Sequence, residues 1–492
     1  MPDASSTSGK ARTIKAPKGT RDAYPEDALR RRYVTQAWRD ASIRCGFEEI
    51  EGPTFELAEL YAVKSGEGIL GELFQAFSGK APEELERVKA TGQAPYALRP
   101  EFTPTLARMY AARAKQLPQP CKWFTAGPYF RAERPQRGRL REFLQWNCDV
   151  IGLPGESQYA EAQSEAEAQR AEMDAEIIGV LVEFFRACGL KTTDVQIETS
   201  DRSQIERAIR DSSGDAVDLD AAFALLDRRN KLDRDSFEMQ AKEIGFEVDG
   251  FDRIARSDSS ASSASSSAPL RTSDLDPWVV PNMSIVRGLA YYTGTVFEVI
   301  ADGERAVAGG GRYDNLIELF GGPSTPACGF GMGDVVLSLL LEDKRLMPEG
   351  AELLDAVSRP PASARPEAFV ISADEDADAL VRPLVASLRR GIERASFDGK
   401  PWSAERYETR PLHARHSYKS TRNLKKLLAD AEKQFARFGV VVHGRDRVQL
   451  KHFDTRRDLT PVDVPGLPDG VAEFSTSPES PVYVGRAIAL LR

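Results

Sequence analysis

The run Arg359-Pro-Pro-Ala-Ser-Ala-Arg-Pro366 cuts the chain more firmly than any other feature. Proline fixes φ and has no backbone N–H, so three prolines in this short run can continue neither a helix nor a sheet ladder. Residues beyond the break must build their own core. There Ala368-Phe-Val-Ile-Ser reads as a strand, the stretch near 376–391 and Thr421 to Phe438 have helical spacing, and Gly439-Val-Val-Val-His reads as a further strand. That alternation predicts a small α/β domain over residues 365–492.

The larger part upstream mixes long helices with paired strands. Tyr33, Ala37 and Ala41, with Val34 and Trp38 beside them, predict a helix over 28–45 that Gly46 ends. Lys122 to Arg131 and Phe143 to Gly152 read as two strands, with 131–142 as the loop joining them. Residues 156–187 are helical, and after the strand-like Val195-Gln-Ile-Glu-Thr the helical spacing resumes from about 202 to 255. Ser257 to Ala268 is almost wholly Ser and Ala, a composition that cannot form a core. We therefore expect a loose tail over 1–14, a first domain made of 15–201 and 281–350, and a helical insertion at 202–280 with the Ser/Ala loop at its exit. Strands return between Ser284 and Val299, and a glycine-dense region over 309–333 precedes a helix through Leu337. A length of 492 residues suits this division, at roughly 150 residues per domain.

Several chemistries are excluded by what the first 412 residues lack. The four histidines are His413, His416, His443 and His452, so no Ser-His-Asp, Cys-His or His-ligated metal site can be built in the larger part. We expect these four to be surface residues without a metal role. The five cysteines, Cys45, Cys121, Cys148, Cys188 and Cys328, are scattered and include no CxxC pair, which reads as reduced, partly buried thiols. No run of about 18 apolar residues occurs, and the start lacks the apolar stretch of a secretory signal. A cytoplasmic protein without membrane contact is expected.

Nucleotide motifs are similarly informative. Gly66-Glu-Gly-Ile-Leu-Gly71 satisfies GxGxxG, but the residues before it have helical spacing, whereas the dinucleotide fingerprint requires a strand there. No GxxxxGK[ST] exists, so a triphosphate would need another cradle. Residues 131–142 supply one: five arginines against two glutamates give +3 on a chain whose net charge is −9. Arginine forks match phosphate oxygens bidentately, so this loop suits a triphosphate or an RNA backbone. Residues 415–458 hold twelve Lys/Arg against five Asp/Glu, a second basic segment of +7 with the footprint of an RNA-binding face.

Five segments in order, Pro17-Lys-Gly-Thr-Arg-Asp, Leu98-Arg-Pro-Glu-Phe-Thr-Pro-Thr, Phe130-Arg-Ala-Glu-Arg-Pro, Val286-Arg-Gly-Leu-Ala-Tyr-Tyr-Thr-Gly-Thr-Val-Phe-Glu and Gly309-Gly-Gly-Arg-Tyr-Asp-Asn-Leu, resemble a histidyl-tRNA synthetase of class II. The resemblance runs from about residue 15 to the C-terminus. It implies an α+β fold: an antiparallel-sheet catalytic domain with a helical insertion, and a C-terminal α/β anticodon-binding domain. It further implies ligation of L-histidine to tRNA(His) through a histidyl-adenylate, with ATP as substrate, Mg²⁺ carried with ATP and no dedicated protein metal site, in a homodimer with the first helix near the interface.

Residue by residue, the resemblance gives Arg131 to the α-phosphate and amino-acid carboxylate, Glu133 to the adenine amine, Arg139 to the distal phosphates and Phe143 to adenine stacking, with Arg287 as second catalytic cation. The histidine pocket would use Asp149 and Tyr292 for the ring nitrogens, Glu101, Thr103 and Gln145 toward the α-amino group, and Tyr291 as lining. An imidazole offers nitrogens on opposed sides, so polar partners on both sides suit it. tRNA would meet Arg134, Gln136 and Arg137 on the loop and Arg422, Lys425 and Lys426 in the last domain. Two positions depart from the family pattern. Val336 stands where the γ-phosphate arginine of class II synthetases is expected, and Ala290 replaces an aspartate. The alternative reading is a non-catalytic paralogue, either a regulatory subunit of ATP phosphoribosyltransferase or an RNA-binding sensor. The regulatory kind typically lacks the C-terminal domain and the Arg-Gly-Leu-x-Tyr-Tyr motif, and both are present here.

Overall fold

The computed structural model describes residues 14–65, 73–153, 163–229, 232–261, 275–286, 291–301, 306–394, 406–419 and 421–491. Helix α1 (Pro25–Arg44) opens with Pro25 and the acidic pair Glu26 and Asp27, a charge order that complements the helix dipole. It buries Tyr33, Val34, Ala37, Trp38 and Ala41, and Gly46 at φ 80° turns the chain out of it, a conformation costly for other residues.

The first domain is built on an eight-stranded sheet. Its strands are β1 (Glu48–Glu49), β2 (Cys121–Phe130), β3 (Glu142–Ile151), β4 (Val195–Asp201), β5 (Val279–Pro281), β6 (Thr295–Ala301), β7 (Ala308–Arg312) and β8 (Ala327–Gly333), in the order β1-β2-β3-β8-β7-β6-β4-β5. All neighbouring pairs are antiparallel except β1 with β2 and β4 with β5. Side chains alternate between the faces of a strand, so each strand contributes to two layers. One face of the sheet carries Phe124, Trp146, Cys148, Val150, Phe330 and Met332 into the main core against α1 and α3 (Gln163–Ala187). Trp146 is its hub, stacked on Trp38 at 6.1 Å and edge-on to Phe330 at 4.8 Å. Each such buried side chain stabilises the fold by about 1.5–3 kcal/mol. The other face lies under α2 (Thr103–Ala111).

The insertion consists of α4 (Arg202–Ser213), α5 (Leu219–Asp227), α6 (Arg234–Glu243) and α7 (Val248–Ala261). Asp201, Asp218 and Asp233 cap the first three by accepting backbone N–H groups. Its core includes Ile205, Ile209, Phe223, Phe237 and Phe251. The expected boundary at 280 falls inside the eight-stranded sheet, because Trp278 packs on Phe185 at 5.9 Å and β5 pairs with β4. The strand expected from Ser284 begins only at Thr295. The GxGxxG stretch lies outside the described residues, as do most of the Ser/Ala loop and the tail.

Helix α8 (Asp334–Asp343) follows β8 directly, and the Pro-rich break leads to the last domain. There β9 (Ala368–Ser372), β10 (Ala414–His416), β11 (Phe438–His443), β12 (Arg447–His452) and β13 (Arg457–Leu459) form a sheet in the order β10-β9-β11-β12-β13, with β9 parallel to both its neighbours. Helices α9 (Glu375–Arg390) and α10 (Leu424–Lys433) accompany it. α10 is shorter than its spacing suggests, since Asn423 caps it at Lys426 N and Phe435 at φ 58° ends it. A further β-strand pairs in this sheet at Phe474–Ser475.

The two units meet through buried charge. Lys122 Nζ pairs with Glu176, and donates to Cys45 O at 2.6 Å and to the Tyr418 hydroxyl at 3.1 Å. Arg389 reaches the same Glu176 at 3.4 Å and Cys45 O at 3.1 Å. His413 and His416, expected on the surface, are buried at this seam. Burial lowers both, His413 to about 3 and His416 to about 4, so both rings are neutral. All five cysteines are free and buried. Among the described residues no helix is long and apolar enough to cross a membrane.

Candidate functional site

The functional face of the sheet is a floor of glycines beside a row of polar side chains. In β3, Phe143, Gln145, Asn147 and Asp149 alternate onto this face, and the register sets Gly329 opposite Asp149, Gly331 opposite Asn147 and Gly333 opposite Gln145. β7 continues the floor with Gly309 opposite Gly331 and Gly311 opposite Gly329. A Cβ at Gly329 would overlap the Asp149 carboxylate, and one at Gly311 would lie 2.9 Å from the Tyr292 ring. The glycines of this region therefore clear the volume that the β3 side chains and the tyrosines occupy.

Within that volume the Tyr313 hydroxyl donates to Asp149 Oδ1, and Gln145 Nε2 donates to Asn147 Oδ1 at 2.9 Å. The Tyr291 and Tyr292 rings lie 4.6 Å apart, tilted by 35°, with Tyr313 edge-on to Tyr291 at 6.0 Å. Burial pushes the Asp149 carboxyl up to about 7, against the pull of the Tyr313 hydrogen bond. A carboxylate poised in that range, inside an aromatic wall, can accept from an azole N–H. Glu101 and Thr103 lie at the start of α2, and Thr103 is buried.

Arg99, itself buried, fixes this segment against β2: its Nε donates to Pro128 O at 2.9 Å and its Nη1 to Gly52 O at 3.0 Å. Gly127 leaves the room it needs, because a Cβ there would stand 2.8 Å from Arg99 Nη2. Arg131 is tied to the same segment by a 3.2 Å bond from Nε to Pro100 O. Its guanidinium lies 5.0 Å from the centre of the Phe143 ring, so cation and aromatic platform share one spot.

The loop beyond Arg131 is a hairpin. Gln136 and Arg139 exchange backbone hydrogen bonds at 3.0 and 2.9 Å round Gly138, whose φ is 75°. Arg139 pairs with Glu133, and Arg141 Nε donates to Glu133 O at 3.1 Å. Arg134, Gln136 and Arg137 are exposed on the tip, Arg137 standing 3.9 Å from Asp343. Glu133 and Arg139, assigned to opposite ends of the nucleotide, hold one another in this structure. Arg287 lies outside the described residues.

A profile of histidyl-tRNA synthetases matches residues 19–243 and 266–334. The chain belongs to the histidyl-tRNA synthetase family. It is 35% identical over 368 residues to the histidine–tRNA ligase of Opitutus terrae, covering 70% of this chain and 78% of that one. Among solved structures, histidyl-tRNA synthetase from Nostoc matches 91% of this chain and 96% of its own with a TM-score of 0.50 at 19% identity. A Bacillus halodurans protein titled ATP phosphoribosyltransferase regulatory subunit/histidyl-tRNA synthetase matches 89% and 99%, with a TM-score of 0.52 at 17% identity. At such identities these two likenesses speak for the fold alone. The enzyme class follows from the family: an aminoacyl-tRNA synthetase of class II, with the α+β catalytic architecture described above.

The sheet thus sets Gln145, Asp149, Tyr291 and Tyr292 on one face, with Phe143 and Arg131 at the end of the same strand. Arg422, Lys425 and Lys426 lie elsewhere, exposed on or beside α10 in the last domain. Arg422 pairs with Asp378 at 3.1 Å and Glu375 at 3.5 Å on α9. Sequence reasoning missed Tyr313, although it stands in the Gly-Gly-Gly-Arg-Tyr-Asp block. Its neighbour Arg312, buried and 2.6 Å from Asp174, was also missed and anchors β7 to α3. A tyrosine two places after Gly311, which pairs with the Gly329 that stands opposite Asp149, was the available signal. Using it requires the β7–β8 register.

Proposed function

We propose that this chain activates L-histidine with ATP and transfers it to tRNA(His). The observation that supports this best is the buried Asp149–Tyr313 pair on a glycine floor, on the same face of β3 as Phe143, whose ring meets Arg131. In this reading Asp149 accepts from one imidazole nitrogen and Tyr292 faces the other, while Glu101, Thr103 and Gln145 surround the α-amino group. Phe143 stacks on adenine, and Glu133 and Arg139 exchange their mutual pair for the adenine amine and the distal phosphates of Mg-ATP.

A histidine carboxylate oxygen then attacks the α-phosphorus. The P–O bond to the β-phosphate breaks, and pyrophosphate leaves to give histidyl-adenylate. In the second step a ribose hydroxyl at the tRNA end attacks the activated carbonyl and AMP leaves, its proton passing to the departing phosphate or solvent. The first step gathers negative charge at phosphorus, and the second on the carbonyl oxygen and the departing phosphate. Preorganised cations at Arg131 and Arg287 therefore stabilise the transition state, without an enzymic histidine. A homodimer with α1 near the interface and tRNA contacts at Arg134, Gln136 and Arg137 complete the proposal.

Histidine-dependent ATP–pyrophosphate exchange tests the reading. Exchange with histidine and not with other amino acids is expected. Well-folded protein that exchanges nothing would overturn it in favour of a non-catalytic paralogue.

A further inference from the structure

Asp334 occupies the turn where β8 becomes α8, and its carboxylate is almost wholly buried. Oδ1 accepts the Leu144 backbone N–H at 2.8 Å, and Oδ2 pairs with Arg21. Leu144 directly follows Phe143, so the Arg21 guanidinium is fastened beside the proposed adenine platform. Backbone contacts wedge its segment there. Gly19 O accepts from Arg141 N at 2.8 Å, Thr20 N turns back to Pro17 O at 3.1 Å, and a Cβ at Gly19 would crowd Pro135 at 2.6 Å and Arg141 at 2.8 Å. Residues 17–21 therefore line the inner side of the arginine hairpin.

The charge inventory of this corner leaves a role for Arg21. Val336, one turn into α8, is buried in the main core and offers no cation. Arg139 is shared with Glu133, and Arg141 is turned toward Glu133 O and the Phe74 ring at 6.0 Å. In the adenylation reading Arg139 leaves Glu133 for the distal phosphates, and Val336 supplies no second cation beside it. Arg21 remains about one-third exposed, with Asp334 holding one edge of its fork. A guanidinium gripped at one edge keeps further N–H groups for a phosphate.

We infer that Arg21 is a nucleotide-binding residue that grips the outer phosphates of ATP, with Asp334 as its positioning residue. The inference rests on the adenylation reading above, and it reassigns the cation missing at position 336 to the N-terminal segment. Arg21 and Asp334 lie more than three hundred residues apart in sequence, and only the fold joins them.

The test is the affinity of the full chain for ATP and for AMP, by titration calorimetry, in wild type, Arg21→Ala, Arg21→Lys and Asp334→Asn. Charge-assisted hydrogen bonds of this kind are worth about tenfold or more in affinity. Arg21→Ala should weaken ATP by about tenfold, yet leave AMP and the KM for histidine within about twofold. Arg21→Lys should recover part of the loss, and Asp334→Asn should show a smaller loss of the same sign. Melting temperatures confirm that the variants are folded. ATP binding unchanged in Arg21→Ala, or AMP weakened as much as ATP, overturns the inference. Wild-type protein that binds ATP without histidine-dependent exchange overturns the adenylation reading while the ATP–AMP difference still decides Arg21. Wild-type protein that binds no ATP overturns both.

Discussion

Lys122 and Arg131 stand at opposite ends of the same strand, one inside it and one just beyond it, and the two cations sit in opposite surroundings. Lys122 is buried, and its partners Glu176, Cys45 O and Tyr418 all belong to protein that cannot leave. Arg131 is half-buried, with its Nε bonded to Pro100 O and its guanidinium near the Phe143 ring. The loop after it is more exposed still, Arg139 at 40% and Arg137 at 73% of the side chain. A buried cation is desolvated at folding and must be matched completely by the protein. A half-buried one keeps bonding capacity for a substrate anion. In the adenylation reading, one strand thus separates a structural charge from a chemical one.

The largest expected effect breaks the structural end. Lys122→Met leaves Glu176 facing Arg389 alone in a buried seam, and removing one partner of a buried pair costs about 3–5 kcal/mol. Urea denaturation should show that loss, with specific activity per folded molecule retained. Unaltered stability would mean that the seam is not held by this charge. Next comes the chemical end. Arg131→Ala should slow adenylation on the order of 10²-fold or more, because a preorganised charge at the transition state is lost, and Arg287→Ala should do the same. Stability should move little. A variant that instead unfolds would place Arg131 with Lys122.

A third, smaller effect concerns the pocket. Asp149 has its carboxyl raised by burial to about 7, so the folded state holds a proton that the unfolded chain has already released. Its contribution to stability is complete below the ordinary carboxyl range and is lost as pH rises to about 7. The urea midpoint should therefore fall more between pH 5 and pH 8 in wild type than in Asp149→Asn. Equal falls would show that Asp149 does not titrate there.

The two regions were unequally legible in the sequence. The chemical end lies in compact motifs: Arg131, Glu133, Arg139 and Phe143 are within one hairpin, and Gln145 and Asp149 follow at strand spacing. Local patterns carry such information, because alternation along one strand decides the face. The glycine run over 309–333 was visible, but its task of clearing space over Asp149 depends on pairing across β3, β8 and β7. The seam was illegible. Lys122, Glu176, Arg389 and Tyr418 are far apart in the chain, and each reads alone as a solvated polar residue. His413 and His416 were misplaced for the same reason, since their burial comes from a domain contact that no local spacing encodes. The insertion boundary slipped because β5 is too short to signal itself before it pairs with β4.

The smallest expected effect extends the contrast to the last domain. Lys425 and Lys426 project from α10, whereas Arg422 is already paired with Asp378 and Glu375. Cations that neutralise RNA phosphates release counterions, so each lysine–phosphate pair removed should reduce the salt slope of binding by about 1. Neutralising Lys425 and Lys426 together should weaken tRNA binding and flatten its salt dependence while adenylation continues. Arg422→Ala should do less than either lysine, because its charge is shared with two carboxylates. If Arg422→Ala has the largest effect of the three, its pairing with α9 opens on RNA binding, and a paired surface cation is as available to a ligand as an unpaired one.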